Sequence, residues 1–293
     1  MGEFELTCCS TVDLSPEWLK KKNIHYALFN YILDDINYKD DMWQTMTPDA
    51  FFAKVEAGAN SSTSMVSIGE YMDFFRPFLE NGRDVLHVCL SSGITSSVES
   101  ARQAATILRE DFPERKLFIV DSLCASAGYG LLVDKMAELR DMGFSIEDVR
   151  DWAEENRREV IHWFFVHDLK YLIKGGRVSK AAGAVGQMLN ICPLMNVDNE
   201  GRLAPQEKIR TKKKVIRRTV EKMKEDAKGG VKYDNTCFIS CTDPVAGEEL
   251  KRQVEEEFPN MKGKVKLFRI GATIATHTGP GTVALFFWGD KRV

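Results

Sequence analysis

Apolar positions recur in two rhythms along the first half of the chain. Short runs rich in β-branched and aromatic residues, Glu3 to Cys8, 26–33, 85–90 and 117–120, are bounded by polar turns and read as strands. Between them lie helical spacings: from Pro16, over 48–58 and 68–81, from the Ser91-Ser92-Gly93 turn to Asp111, and from Asp121-Ser122 to Met142. Ser15 can cap the first of these, and proline suits a first helical turn. Strands alternating with helices of ten or more residues predict an α/β fold, a mostly parallel Rossmann-like sheet with helices on both faces. A charge-dense helical stretch over 150–159 closes this half. Beyond it, strand-like runs at 161–166, 236–240, 265–270 and 283–288 surround helices at about 168–190, 211–228 and 246–258. At 293 residues the chain is long enough for two domains, expected at 1–158 and 159–293.

Composition narrows the class. With 44% hydrophobic and 28% charged residues, disorder is excluded. The two longest uncharged stretches, 181–197 and 270–289, are broken by Pro193 and by His277, Pro280 and several glycines, so neither reads as a membrane span. The first residues are acidic where a secretory signal is basic, and a cytoplasmic location is expected. Seven cysteines show no zinc-like spacing and read as reduced, buried thiols. Charge is uneven: residues 1–155 hold 14 basic against 27 acidic residues, and 156–293 hold 26 against 16. The basic run from Lys208 to Lys224 reads first as a solvated helix face, and otherwise as a surface for an anionic partner.

Four clusters could carry chemistry. A strand running into Ser91-Ser92-Gly93-Ile94-Thr95 and then a helix brings hydroxyls and backbone N–H groups to the carboxyl end of a strand. This suits an anion, or equally a capped turn. A second hydroxyl cluster, Ser61 to Ser67, is by itself a capped loop that could converge on the same place. His277-Thr278-Gly279-Pro280-Gly281 loosely resembles a dinucleotide fingerprint, but strand rather than helix follows, so that reading fails; His277 is a satisfied loop histidine or a donor to an anionic headgroup. Lys174-Gly175-Gly176 reads as a helix C-cap that leaves Arg177 to pair with a carboxylate or a phosphate. The sequence contains no nucleophile-elbow, phosphate-loop or His-Glu-x-x-His motif.

In order along the chain stand Ser10-Thr11-Val12-Asp13-Leu14, Thr63-Ser64, Ser91-Ser92-Gly93-Ile94-Thr95, Val120-Asp121-Ser122, Lys174-Gly175-Gly176-Arg177 and His277-Thr278-Gly279-Pro280-Gly281. Together they resemble the DegV family of fatty-acid-binding proteins over essentially the whole length. That resemblance implies two domains enclosing one long-chain fatty acid in a tunnel, with no cofactor, and a carboxylate held by hydroxyls. By the same resemblance, some members act without catalysis of their own, presenting that carboxylate to a separate ATP-dependent fatty acid kinase subunit. Carried over by position, Thr63 and Thr95 would bind the carboxylate, with Ser64, Ser91, Ser92 and the Gly93 backbone close by and His277 next to the headgroup. Arg177 and Arg210 would meet the kinase. The resemblance brings in no nucleic acid and at most transient membrane contact.

Three positions depart from the family pattern: Cys9 stands for an aspartate, Thr95 for a serine and Val66 for a proline. A lipid-binding or sensing module without a kinase partner is the alternative. A hydrolase using a serine of Ser91-Ser92 is the weaker third reading, for want of a visible base and orienting acid.

Overall fold

The protein is described from a computed structural model covering residues 4–179 and 191–292. The first half runs β1 (Phe4–Cys9), α1 (Pro16–Lys21), β2 (Ile24–Ala27), β3 (Asn30–Leu33), β4 (Ile36–Lys39), α2 (Pro48–Glu56), β5 (Ser61–Ser64), α3 (Ile68–Glu80), β6 (Asp84–Cys89), α4 (Ser97–Asp111), β7 (Leu117–Asp121), α5 (Ser126–Asp141) and α6 (Ile146–Asn156). The second half runs β8 (Val160–Phe165), α7 (Lys170–Lys174), β9 (Ile191–Val197), β10 (Leu203–Arg210), α8 (Lys212–Asp226), β11 (Cys237–Cys241), α9 (Pro244–Glu257), β12 (Lys266–Arg269), α10 (Ala272–Thr278) and β13 (Val283–Trp288). No helix among the described residues is long and apolar enough to cross a membrane.

Among the described residues, three sheets result. The first is fully parallel, in the order β2-β1-β6-β7. Its central strand β6 is buried on both faces: Leu86 and Val88 enter the largest core cluster, while Val85 and Cys89 enter a second one with α3 and α4. The second sheet, β10-β9-β8-β13-β11-β12, is antiparallel except for its β11–β12 edge. Helix α5 lies between the two sheets, packing on β1 from one side and on β8, β11 and β13 from the other. Its first nine residues are buried without interruption, as a helix covered on all sides must be. The largest core cluster accordingly runs from Phe4 to Trp288 across residues 158 and 159. A small antiparallel sheet, β4-β3-β5, stands beside them.

Several elements differ from the sequence expectation. The run 26–33 is not one strand: β2 joins the parallel sheet, β3 joins the small one, and Ser10 Oγ accepts from Phe29 N (3.1 Å) where the chain passes between them. Apolar alternation continues unbroken through such a change of sheet, so the pattern could not mark it. Ser61–Ser64, expected as loop, pairs with β3. The β9–β10 hairpin was hidden by Pro193 and Pro205, which argue against strands. The helix expected over 168–190 is α7 only, and 180–190 lie outside the described residues. His277 belongs to a helix, α10, rather than a loop.

Helix α10 is fastened by two acids from the far end of the sequence. Asp13 Oδ1 accepts from Gly271 N (2.8 Å), and the Asp40 oxygens accept from Ala272 N (3.1 Å) and Thr273 N (3.0 Å). These are first-turn N–H groups that have no partner within the helix. Trp43 Nε1 donates to Ile270 O (2.9 Å) just before the helix, and Ser126 donates to Asp13 Oδ2. Both carboxyls are fully buried, and burial raises both pKa values above the ordinary 3.8 despite the hydrogen bonds. A raised native pKa means that the folded state holds the proton more tightly than the unfolded one. The stability each acid contributes is therefore greatest below the unfolded pKa and falls as pH rises toward the native one. Urea unfolding of wild type and Asp40→Asn between pH 4 and 7 should show the wild type losing ground to the variant as pH rises; a constant gap would remove this account.

Candidate ligand-binding site

A cavity of about 510 Å³ lies between α10, the second sheet and the β5 and α4 edges of the first half, within the usual size range of small-molecule sites. Helical periodicity builds one wall, since Thr273, Ile274, His277 and Thr278 fall on one face of α10. Strand periodicity builds another: Phe164 and His162 alternate along β8, and their register partners Ala284 and Phe286 alternate along β13. Most of the lining is apolar; Thr63, Ser64, Thr95, Arg177 and His277 gather at one end, and Ser126 and Thr273 add hydroxyls from the starts of α5 and α10.

At that end Thr63 Oγ1 lies 2.7 Å from His277 Nε2. Thr63 and Ser64 are brought there by β5, and Thr95 arrives on the turn before α4, where its hydroxyl accepts from Ser97 N (3.3 Å). Burial, with the Arg177 charge adding to it, pulls the His277 pKa down to about 4, so the imidazole is neutral at pH 7. Arg177 is half-buried in the same wall, donating to Gly175 O (2.5 Å), and burial lowers its pKa as well. Among the described residues no carboxylate pairs with it. A neutral donor, several hydroxyls and an uncompensated guanidinium at the end of an apolar cavity suit a ligand with an apolar body and an anionic head.

Two glycines allow this packing. A Cβ on Gly175 would lie 2.1 Å from His277 Nδ1, and a Cβ on Gly279, whose φ is +73°, would lie 2.3 Å from the Tyr171 ring. The Lys-Gly-Gly-Arg and His-Thr-Gly-Pro-Gly motifs thus dock by exchange, each glycine receiving a ring from the other segment.

Ser91, Ser92 and Gly93 do not line this cavity. Ser91 Oγ donates to Gly201 O (2.8 Å) and accepts from Gly93 N (3.0 Å), while Ser92 gives its N–H and hydroxyl to Asp121 (3.1 and 2.5 Å). A Cβ on Gly93 would meet Glu200 O at 2.7 Å, so this glycine seats the β9–β10 turn. In the turn expected to bind an anion, Ser91 and Gly93 thus pack against the β9–β10 turn, and Ser92 bonds to Asp121 of β7. Neither serine meets an imidazole among these bonds, and the Ser92 hydroxyl is held by the Asp121 carboxylate. Arg210, at the exposed end of β10, is also away from the cavity. The basic run after it is largely ion-paired, with Arg218 to Glu207 and Glu225, and Lys224 to Glu257.

The three departures touch the cavity only at Thr95. Cys9 is buried, its sulfur 3.2 Å from Tyr71 OH and its pKa pushed up to about 12, and Val66 packs in the same core cluster. Sequence reasoning missed His162, Thr273 and Ile274. The spacing 273, 274, 277, 278 is itself a helical signal, obscured by the β-branched and small residues of Ala272–Thr278.

A family model described as "Uncharacterised protein, DegV family" matches residues 5–290. The chain belongs to the DegV family. Among its relatives, the DegV domain-containing protein YteA of Lactococcus lactis is 33% identical over 97% of this chain and 96% of its own length. The DegV domain-containing protein CPE0026 of Clostridium perfringens is 31% identical over 100% and 99%. A solved structure described as fatty acid binding of a DegV family protein, from Thermus thermophilus, is 28% identical, with a TM-score of 0.86 over 99% of this chain and 100% of that one. In this DegV-family chain, Gly175→Ala should displace the His277 ring. The change is expected to raise the imidazole pKa from about 4 toward its ordinary 6.5, measured by NMR titration; an unchanged pKa would show that the ring does not need the gap.

Proposed function

We propose that this protein binds one long-chain fatty acid and presents its carboxylate to a separate, ATP-dependent fatty acid kinase subunit. The observation that carries the reading is the polar end of the cavity: the Thr63–His277 pair and the half-buried Arg177, at the head of an apolar lining. The 28% identical relative from Thermus thermophilus, described by its fatty acid binding, supports it.

The division of labour follows from solvation. A buried chain gains about 0.8 kcal/mol per methylene, so the tail supplies affinity with little chemical selectivity. A carboxylate taken out of water costs several kcal/mol unless hydrogen-bonded. When His277 Nε2 carries the imidazole proton it donates to Thr63 Oγ1, and the threonine proton is free for a carboxylate oxygen. Thr95 adds a second hydroxyl and Ser64 a third from the exposed side. Arg177 supplies charge without which neutral donors alone would hold the anion weakly. Phosphorylation requires one carboxylate oxygen to remain open to the γ-phosphorus, and a rim of short hydroxyl side chains leaves such an approach. Because Arg177 faces the cavity, Arg210 is the residue assigned to kinase docking alone.

Native mass spectrometry should find one long-chain fatty acid per chain. Replacing both Thr63 and Thr95 with valine should weaken oleate binding roughly 10- to 100-fold for each charged hydrogen bond lost; undiminished binding would remove these residues from the carboxylate site. With ATP and a cognate kinase subunit, Arg210→Glu should retain the lipid yet slow acyl phosphate formation. Absence of acyl phosphate from the wild type itself would favour a binding or sensing module instead.

A further inference from the structure

The cavity has a direction. Thr282 Oγ1 donates to Thr278 O (3.1 Å), which ties the start of β13 to the His277 end of α10. From there Ala284 and Phe286 step away on β13, with Phe164 and His162 opposite them on β8. Four residues of strand separate Thr282 from Phe286, roughly 13 Å. The sheet wall therefore leads from the polar end toward His162.

His162 is a fixed end piece. Its Nδ1 lies 3.0 Å from Val160 O, Ala125 N donates to its Nε2 (3.1 Å), and its ring stands edge-on to Phe286 at 5.2 Å. With both nitrogens occupied by backbone, the ring offers carbon to the cavity. Val197, the last residue of β9, is 1% exposed and lines the cavity beside it.

Behind these two residues lies a different space. A second cavity, of about 540 Å³, is also lined by His162 and Val197, but its other walls include Lys222, Asp226, Asp290 and Arg292. The sheet is split here. Strands β8 and β9 pair only at Trp163–Phe165 against Leu194–Asn196, so Val160–His162 and Val197 have no ladder between them. Arg292 fills the split by donating to Val197 O (3.3 Å) and Asp198 O (2.7 Å), and, across the halves, to Leu123 O (3.0 Å) and Arg157 O (3.1 Å). His162 and Val197 are thus the residues that the apolar cavity and the charged cleft have in common.

We infer that His162 and Val197 form the end wall that sets the longest straight acyl chain the cavity accepts. The inference rests on the fatty-acid reading for its ligand, while the wall itself rests on the shared lining of the two cavities. Each added methylene should raise affinity about fourfold while it is buried in the apolar cavity. The gain should stop at the length where the chain end reaches the wall, because the next methylenes have only a charged cleft to enter.

The test is displacement of a fluorescent fatty acid by straight-chain acids and, separately, by 1-alkanols of 12 to 24 carbons (about one methylene resolution). Wild type should show a break in affinity against length. Val197→Ala should move the break to longer chains and Val197→Leu to shorter ones. Either variant decides alone if the other loses cooperative unfolding, since the shifts have opposite sign. An unchanged break in a folded variant overturns the end wall. If alkanols show the break and acids do not bind, the wall stands and the carboxylate reading falls; if the wild type binds neither series, both fall.

Discussion

Helix α10 is seven residues long and would not hold its place by itself, and the site depends on what anchors it. Its first N–H groups end on Asp13 and Asp40, which come from the first 40 residues of the chain and sit in full burial with raised pKa values. Burying two acids is costly, and the cost is offset only while the helix start occupies its position. The arrangement links the N-terminal loops, through the helix, to His277 at its other end. The distance between Asp40 and Thr63 in the fold thereby becomes a constraint on the polar end of the cavity.

The other end of α10 is fixed by shape. Gly175 admits the His277 ring and Gly279 admits Tyr171, so α7 and α10 interlock with no room for a Cβ at either position. The same logic works at Gly93, which seats the Glu200–Gly201 turn. Close approaches of this kind transmit position over short range, because a side chain cannot yield where backbone meets ring. They explain why the glycines of three separate motifs lie around the cavity without contacting it through any functional group.

The chemistry of the polar end matches a reversible holder. A histidine kept neutral by burial, hydroxyls and one half-buried guanidinium can take an anion without the rigid double grip of a paired arginine and a second cation. Opposite it the lining turns apolar and ends at His162, whose polarity is fully consumed by backbone partners. A gradient from polar head to apolar end is the minimal device for orienting an amphiphile.

Much of this was legible in order and periodicity. The helix and strand rhythm marks the alternating elements of the first half, the polar clusters mark Thr63, Thr95, Arg177 and His277, and their sequence along the chain is enough to suggest the family. Residue pattern reports what a segment buries, so it carries element type well. It cannot report which sheet a strand joins, as with 26–33, or whether a Ser-Ser-Gly turn faces a ligand or a neighbouring hairpin, as with Ser91 to Gly93. Those outcomes depend on contacts between residues distant along the chain: His162 with Ala125 is 37 positions apart, Ser91 with Gly201 110, and Asp13 with Gly271 258. The chain alone determined the elements and the chemical groups available; the tertiary structure decided which groups share a cavity, because only packing fixes the directions in which side chains point.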